Sequence, residues 1–483
     1  MRRPGGTPRW PRWPAVRSRR VRPTPTGGPP RTTRSSPRAR PPHVRVAPVV
    51  TEPLVALADG TVKQVSPLTG TTVWTVPGRG GRPLEHHDHV RSGAPEGGRD
   101  ELCAFCWGRM AQTTPEKSRL VVGADGSART FDEVPASRLH EDCPEVRSFG
   151  NLFEIVSARY WRTNHGARPT PHLQERARAY VEEPAGRAQV EALLAARAAA
   201  AGEPVPPVRS PMWWQDVVDL FAGSHDVVVA RRHLIDGARY GDELAGAGTL
   251  GIDEHRRFIA FTVESMRRVY LAQPAARYVA VFQNWLSAAG ASFDHLHKQL
   301  VAIDEDGPQL ARELRLAATD PALYQHAALD VAVRYGLVVA RNEHAVAVAG
   351  VGHRYPSLEV YSTATAQLPW EHTPEQIAAF ADLLHALHAA TGAGVPSNEE
   401  WHHRPPDARE PMPWRAVLKW RVSTLAGFEG ATRINVNTLD PWQVRDRVVQ
   451  RLVDLRAAGL VAPMAVGDRC EDLVLRYGQE VAR

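Results

Sequence analysis

Nowhere in its 483 residues does the chain hold an apolar run long enough to cross a bilayer, which excludes a helical membrane span. Cysteine is scarce. Four thiols, Cys103, Cys106, Cys143 and Cys470, are too few to staple a chain of this length, which excludes a disulfide framework. Lysine is nearly missing, so almost all the basic residues are arginine. The first 45 residues contain no acidic residue and no apolar middle, so this segment does not read as a secretory signal. Together these absences lead us to expect a cytoplasmic protein with no membrane partner.

Charge is distributed unevenly. Residues 1–45 carry thirteen arginines; removing them from the formal net charge of +6 leaves 6 − 13 = −7 for the body of the chain. The basic balance therefore belongs to a leader rich in Pro, Arg, Gly, Ser and Thr. It cannot bury enough apolar surface to offset the entropy of ordering, and we expect it to be disordered. Polybasic segments can bind nucleic acid, but a solvated leader is the simpler reading, and no nucleic-acid partner is expected. The remaining chain, with 43% hydrophobic residues overall, has room for a sizeable core in two or three domains.

Secondary-structure signals are mixed. Thr72–Val76, Asp226–Ala230, Tyr278–Asn284, Leu296–Ile303, Ala345–Val348, Leu358–Tyr361, Val417–Val422 and Ile434–Asn437 read as strands. Ile252–Ala272 reads as an amphipathic helix. Thr373-Pro374 and Asp440-Pro441 each offer an N-cap followed by proline at the first helical position. His172–Ala201 reads as a helical stretch interrupted near Pro184, inside an insertion spanning about 165–207. The order lacks strict β-α-β alternation, so the expected class is α+β with antiparallel sheets flanked by helices.

The segment with the most chemistry is His295-Leu296-His297-Lys298-Gln299, preceded by Phe282-Gln283-Asn284 and Gly290-Ala291-Ser292. In an extended strand alternate side chains share a face, so two imidazoles and a carboxamide would project together. A neutral imidazole can attack phosphorus at neutral pH, and the phosphoramidate so formed divides one transfer into two easier ones. Its second ring nitrogen then needs an acceptor, commonly a backbone carbonyl, to hold the tautomer.

This pattern resembles the active-site signature of the galactose-1-phosphate uridylyltransferase family, within the histidine-triad superfamily. The resemblance implies two histidine-triad-like halves, 46–305 with the catalytic and metal sites and 306–483. It implies that His297 is the nucleophile and that Gln299 hydrogen-bonds a phosphoryl oxygen, an amide in this place favouring transfer over hydrolysis. Asn284 and Ser292 would contact phosphates. Arg79 and Arg82 resemble the family's diphosphate clamp, Asn151 its nucleoside-side asparagine and Glu429 its sugar-binding glutamate. The implied activity is transfer of a nucleotidyl group from a UDP-sugar to a sugar 1-phosphate. Adenine-nucleotide phosphorylase or adenylyltransferase chemistry, or a catalytically silent nucleotide-binding relative, stand as alternatives. A homodimer is the implied assembly.

Cys103-Ala104-Phe105-Cys106 has the spacing of half a zinc site. The resemblance completes a structural Cys₂His₂ set with His233 and His295; His140 and Cys143 are the rival pair. A second metal is not expected, since Trp414–Arg421 carries no histidine where some relatives have a His-x-His strand, and Glu359, His402 and His403 do not make up a set.

Overall fold

The computed structural model describes residues 52–78, 100–423, 426–470 and 473–479; the leader, Arg79 and Arg82 lie outside the described residues. Strands form at β1 (Leu54–Ala56), β2 (Val62–Val65), β3 (Thr72–Thr75), β4 (Glu116–Val122), β5 (Ala128–Asp132), β6 (Val146–Gly150), β7 (His225–Ala230) and β8 (Tyr278–Trp285). The second half adds β9 (His297–Ile303), β10 (Val338–Arg341), β11 (Ala345–Ala349), β12 (Ser357–Ser362), β13 (Ser397–His402), β14 (Arg415–Trp420), β15 (Ile434–Asn437) and β16 (Ala465–Val466). The helices are α1 (Ala158–His165), α2 (Pro171–Glu182), α3 (Pro184–Ala201), α4 (Pro211–Ala222), α5 (Ile252–Ala272), α6 (Pro308–Ala317), α7 (Asp330–Arg334), α8 (Pro374–Thr391), α9 (Gly427–Thr432) and α10 (Pro441–Ala457). Among the described residues no helix is long and apolar enough to cross a membrane.

The architecture is α+β. One antiparallel sheet runs in the order β16-β10-β11-β12-β14-β13-β8-β9-β7-β6-β4-β5. Its seam is the pair β13–β8, and the order on either side is alike: β6–β7–α5–β8–β9 in the first half answers β11–β12–α8–β13–β14 in the second. A smaller sheet, β1-β2-β3-β15, joins the start of the described chain to its C-terminal part through the parallel pair β3–β15.

Helix starts follow local chemistry. Thr373 and Asp440 each cap through the side chain, with Gln376 and Gln443 reaching back, and proline occupies the first turn of α8 and of α10. Helices α5 and α8 pack against each other and cover one face of the large sheet, where Val228, Leu300, Val281, Phe258 and Leu384 share one buried cluster. Side chains alternate along each strand, so His297, Gln299, Val227, Val229, Phe282 and Asn284 fall on the opposite face. Gln299, Phe282 and Asn284 are only half-buried.

Candidate active site and metal centre

The geometry starts at β9. The expected strand, Leu296–Ile303, begins one residue late: His297 is its first residue, and His295, expected to share a strand face with His297 and Gln299, lies in the bend ahead of it. That bend frees His295 from the alternation and aims its ring at the C-x-x-C loop. His295 Nε2 donates to the Ala230 carbonyl at 2.8 Å, which leaves the Nδ1 lone pair facing the two sulfurs, 3.5 Å from Cys103 Sγ and 3.7 Å from Cys106 Sγ. His233 Nδ1 stands 3.5 and 3.4 Å from the same sulfurs, which are 3.8 Å apart.

These separations discriminate between possible fates of the cluster. A disulfide would need about 2.05 Å. A tetrahedral zinc with Zn–S of about 2.3 Å and Zn–N of about 2.05 Å has edges of about 3.8 Å (S to S) and about 3.5 Å (S to N). The observed distances match the tetrahedral set. The four ligand atoms lie within 4.8 Å of one another, and the cluster is buried but for half-buried His233. The two thiols form a pair in which one proton is shared: hydrogen bonding from Cys103 draws the Cys106 thiol far below its ordinary range, and the Cys103 thiol is pushed up in turn. Thiolate character of this kind is what a cation selects. Cys103, Cys106, His233 and His295 can thus hold a metal ion. His140 and Cys143 stand apart: His140 packs edge-on against Trp107, and Cys143 is exposed.

His297 sits next to this cluster. Its Nδ1 donates to the His295 carbonyl at 2.7 Å, so Nε2 carries the lone pair and, among the described residues, has no partner. Burial holds the ring's pKa down at about 4, outweighing the His295 carbonyl, so the imidazole is neutral at pH 7. Phe105, inside the C-x-x-C loop, meets the ring edge-on at 5.1 Å. Its own carbonyl accepts from Arg147 Nη2 at 3.4 Å, and Arg147 also donates to Thr113 Oγ1 at 3.1 Å. The metal loop and the His297 ring are therefore packed as one unit. Phe105 and Arg147 carry no sequence signal that singles them out.

Gln299 follows on the same face. Asn284, directly opposite Asn398 across the seam, accepts from the Asn398 amide at 2.7 Å, and Asn398 accepts from Arg421 Nη1 at 2.6 Å. Asn398 escaped sequence reading because its polar strand, Ser397–His402, shows no apolar alternation. The connection between β8 and β9 carries a short helical turn at Ser287–Ala289. Gly290 adopts φ +90°, which favours glycine, and Leu286 holds φ +66° with ψ 155°, a strained conformation for a branched side chain. Ser292 lies exposed in this connection.

The remaining expected residues fall elsewhere. Asn151, at the end of β6, accepts from Phe153 N–H at 2.9 Å and lies beside His225, which bonds Gln299. Glu429 is the third residue of α9, and its carboxylate accepts from Ala426 N–H at 3.1 Å as a helix cap; no contact links it to His297 among the described residues. Glu359 receives His353 at 2.8 Å and the Tyr361 hydroxyl, with Arg415 at 3.6 Å. A cavity of about 560 Å³ lies away from His297, between the helical insertion and α5, lined by Trp161, Arg162, Arg176 and Asp226.

Comparison with solved structures follows this geometry. An ADP-glucose phosphorylase from Arabidopsis thaliana with bound ADP-glucose is 17% identical and overlays with a TM-score of 0.51, covering 80% of this chain and 97% of that one. A galT-like protein from Arabidopsis thaliana gives 17% identity and a TM-score of 0.49, over 80% and 97%. A uridylyltransferase gives 19% and 0.40, over 48% of this chain and 76% of that one. The fold is accordingly that of the phosphorylase. No curated protein matches in sequence. A family model described as a domain of unknown function, DUF4921, matches residues 57–477, which takes in every described site residue, and the chain thus belongs to the DUF4921 family.

Proposed function

We propose that the chain is a nucleotidyltransferase that passes a nucleotidyl group from a nucleoside diphosphate sugar through a covalent adduct on His297. The observation that carries this reading is the His297 ring itself. Its Nδ1 proton is committed to the His295 carbonyl, so a neutral Nε2 lone pair is left for phosphorus.

In the first step Nε2 bonds to the α-phosphorus. The bond from that phosphorus to the bridging oxygen breaks, and the sugar 1-phosphate leaves with the electron pair. In the second step an oxygen of another sugar 1-phosphate attacks the same phosphorus, and the electron pair of the P–N bond returns to Nε2. Gln299 offers its amide N–H to a phosphoryl oxygen. Asn284 and Ser292 serve as further phosphate contacts, and Arg79 and Arg82 as the diphosphate clamp. Asn151 would meet the nucleoside and Glu429 the sugar hydroxyls. Cys103, Cys106, His233 and His295 would hold a zinc ion whose part is structural: it tethers His295 and so holds the carbonyl that sets the His297 tautomer.

Uridine is the base that the sequence resemblance implies. Adenine is the second reading, favoured by the ADP-glucose bound in the Arabidopsis phosphorylase, whose fold this chain shares. One experiment separates them. The protein is incubated with UDP-glucose or with ADP-glucose, quenched in mild alkali because phosphohistidine is acid-labile, and digested for mass spectrometry. A uridylyl or adenylyl mass on the peptide containing His297, with release of glucose 1-phosphate, identifies the donor. Binding of either nucleotide without an adduct, or an adduct that survives His297→Ala, would reject the proposal.

A further inference from the structure

We infer that His225 is a positioning residue that fixes which end of the Gln299 amide faces the substrate. The inference rests on the function proposed above for its meaning, though not for its geometry. His225 opens β7 and is 1% exposed. It pairs with Val301 across the β7–β9 ladder while Val227 pairs with Gln299, so its ring lies on the His297 face, diagonal to Gln299.

Three contacts determine its state. The backbone N–H of Ile155 points at His225 Nδ1 at 3.1 Å. A backbone N–H can only donate, so Nδ1 must hold a lone pair and the ring proton must sit on Nε2. Nε2 lies 3.0 Å from Gln299 Oε1, to which it donates. The Asn151 amide nitrogen, 3.2 Å from the same Nε2, has no lone pair to offer, and its orientation is set by Phe153 N–H donating to Asn151 Oδ1. The Gln299 carbonyl is thus the acceptor for Nε2–H among the described residues.

The consequence concerns Gln299. A carboxamide can present either its oxygen or its NH₂ with little steric difference, and the wrong end would set an oxygen against phosphoryl oxygens. With its oxygen held by His225, Gln299 presents NH₂ outward, where among the described residues it has no partner. The chain of donors runs from Ile155 N–H through the imidazole to the amide, so a backbone group specifies the polarity of a substrate contact. Burial, which holds the His225 pKa at about 4, keeps the ring in the neutral form that this relay requires.

The test uses three substitutions. His225→Gln places an amide N–H close to the position of Nε2. His225→Asn places one close to Nδ1, out of reach of Gln299. His225→Phe removes both. Each is assayed in the full chain for the rate of adduct formation on His297, with folding checked by thermal melting. We expect the Phe and Asn variants to be slower by about 10- to 100-fold and the Gln variant to recover to within about threefold of wild type. In a Gln299→Ala background His225→Phe should cost nothing more. Equal losses in the Gln and Asn variants, or an undiminished loss in the Gln299→Ala background, would overturn the inference. Should His225→Phe fail to fold, the Gln–Asn pair still decides. Nitrogen-15 shifts of the wild-type ring separate this inference from the proposed function: an Nδ1–H tautomer overturns it whether or not an adduct forms. An Nε2–H tautomer in a protein that forms no adduct would reject the transfer reaction and support the orientation of Gln299.

Discussion

Strands β9 and β14 occupy equivalent places on either side of the β8–β13 seam, and the register makes their contents comparable residue by residue. In the first half Val229 pairs with His297 and Val227 with Gln299. In the second, Tyr361 pairs with Arg415 and Glu359 with Val417. Where one half presents an imidazole and an amide, the other presents a guanidinium and an aliphatic chain. Arg415 is 1% exposed, forks onto both oxygens of Glu313 at 2.7 Å and lies 3.6 Å from Glu359. Its charge is consumed within the protein. His297 Nε2, by contrast, is left without a partner among the described residues. The same backbone frame therefore supports two uses: β9 leaves the His297 Nε2 lone pair without a partner among the described residues, whereas the Arg415 charge on β14 is met by Glu313 and Glu359.

Between them runs a buried clamp. Lys298, between His297 and Gln299 but pointing to the other face, is fully buried and pairs with Glu399 of β13 at 2.5 Å. Glu399 also accepts from His388 at 2.6 Å. The first half thus borrows carboxylate and imidazole from the second to hold its central strand.

The largest expected break in this comparison comes from His297→Ala, which should lower nucleotidyl transfer by at least about 10³-fold while leaving the thermal midpoint nearly unchanged. Steady-state rates and melting curves measured together check it, and a variant with near-native turnover would remove the distinction between the halves. Next in size is the metal cluster. Cys106→Ser, or a strong chelator, should lower both transfer, by at least about tenfold, and the melting temperature, because one tether serves ring placement and folding. Elemental analysis should find one zinc per chain in the wild type.

Arg415→Met should reverse the pattern seen for His297. Leaving Glu313 and Glu359 buried without their cation should cost about 3–5 kcal/mol in urea unfolding, with transfer per folded molecule unchanged. The smallest effect concerns acid. Burial pushes the Glu359 carboxyl upward, but His353, Arg415 and Tyr361 outweigh it and hold the pKa at about 2, against an ordinary 4.5. The stability it contributes is therefore complete above about pH 4.5 and is lost as pH falls toward 2. Urea titrations of wild type and Glu359→Gln should converge over that window; a constant gap would show that the carboxylate is not held in this way.

Much of the frame was legible in the sequence. Helix α5 reads off at both ends, and α8 and α10 announce themselves through cap and proline. Strands β8, β11 and β12 are runs of apolar and β-branched residues. Strands β4 and β13 escaped, since Glu116 and Arg119, like Asn398 and Glu399, are buried polar residues that find partners only in the folded state. A charged residue in sequence reads as solvated; its burial depends on another charge arriving from elsewhere. His225 escaped for a related reason. Alone at the head of an apolar strand it resembles a core histidine, and only Ile155, Asn151 and Gln299 reveal what its two nitrogens do.

Residue chemistry and short-range spacing lay in the sequence alone: two thiols three apart, two imidazoles and an amide at alternate positions, and the caps that start the helices. These depend on covalent neighbours, whose separations the chain geometry sets within a few ångströms. Convergence was decided by the tertiary structure. It brings Cys103 to His233, 130 residues on, and to His295, 192 residues on, and it allots each imidazole its proton through carbonyls and N–H groups from distant segments. The reason is physical. A lone pair is free or occupied according to what lies within about 3 Å of it, and for groups so far apart in the chain only the packed sheet and its register determine that.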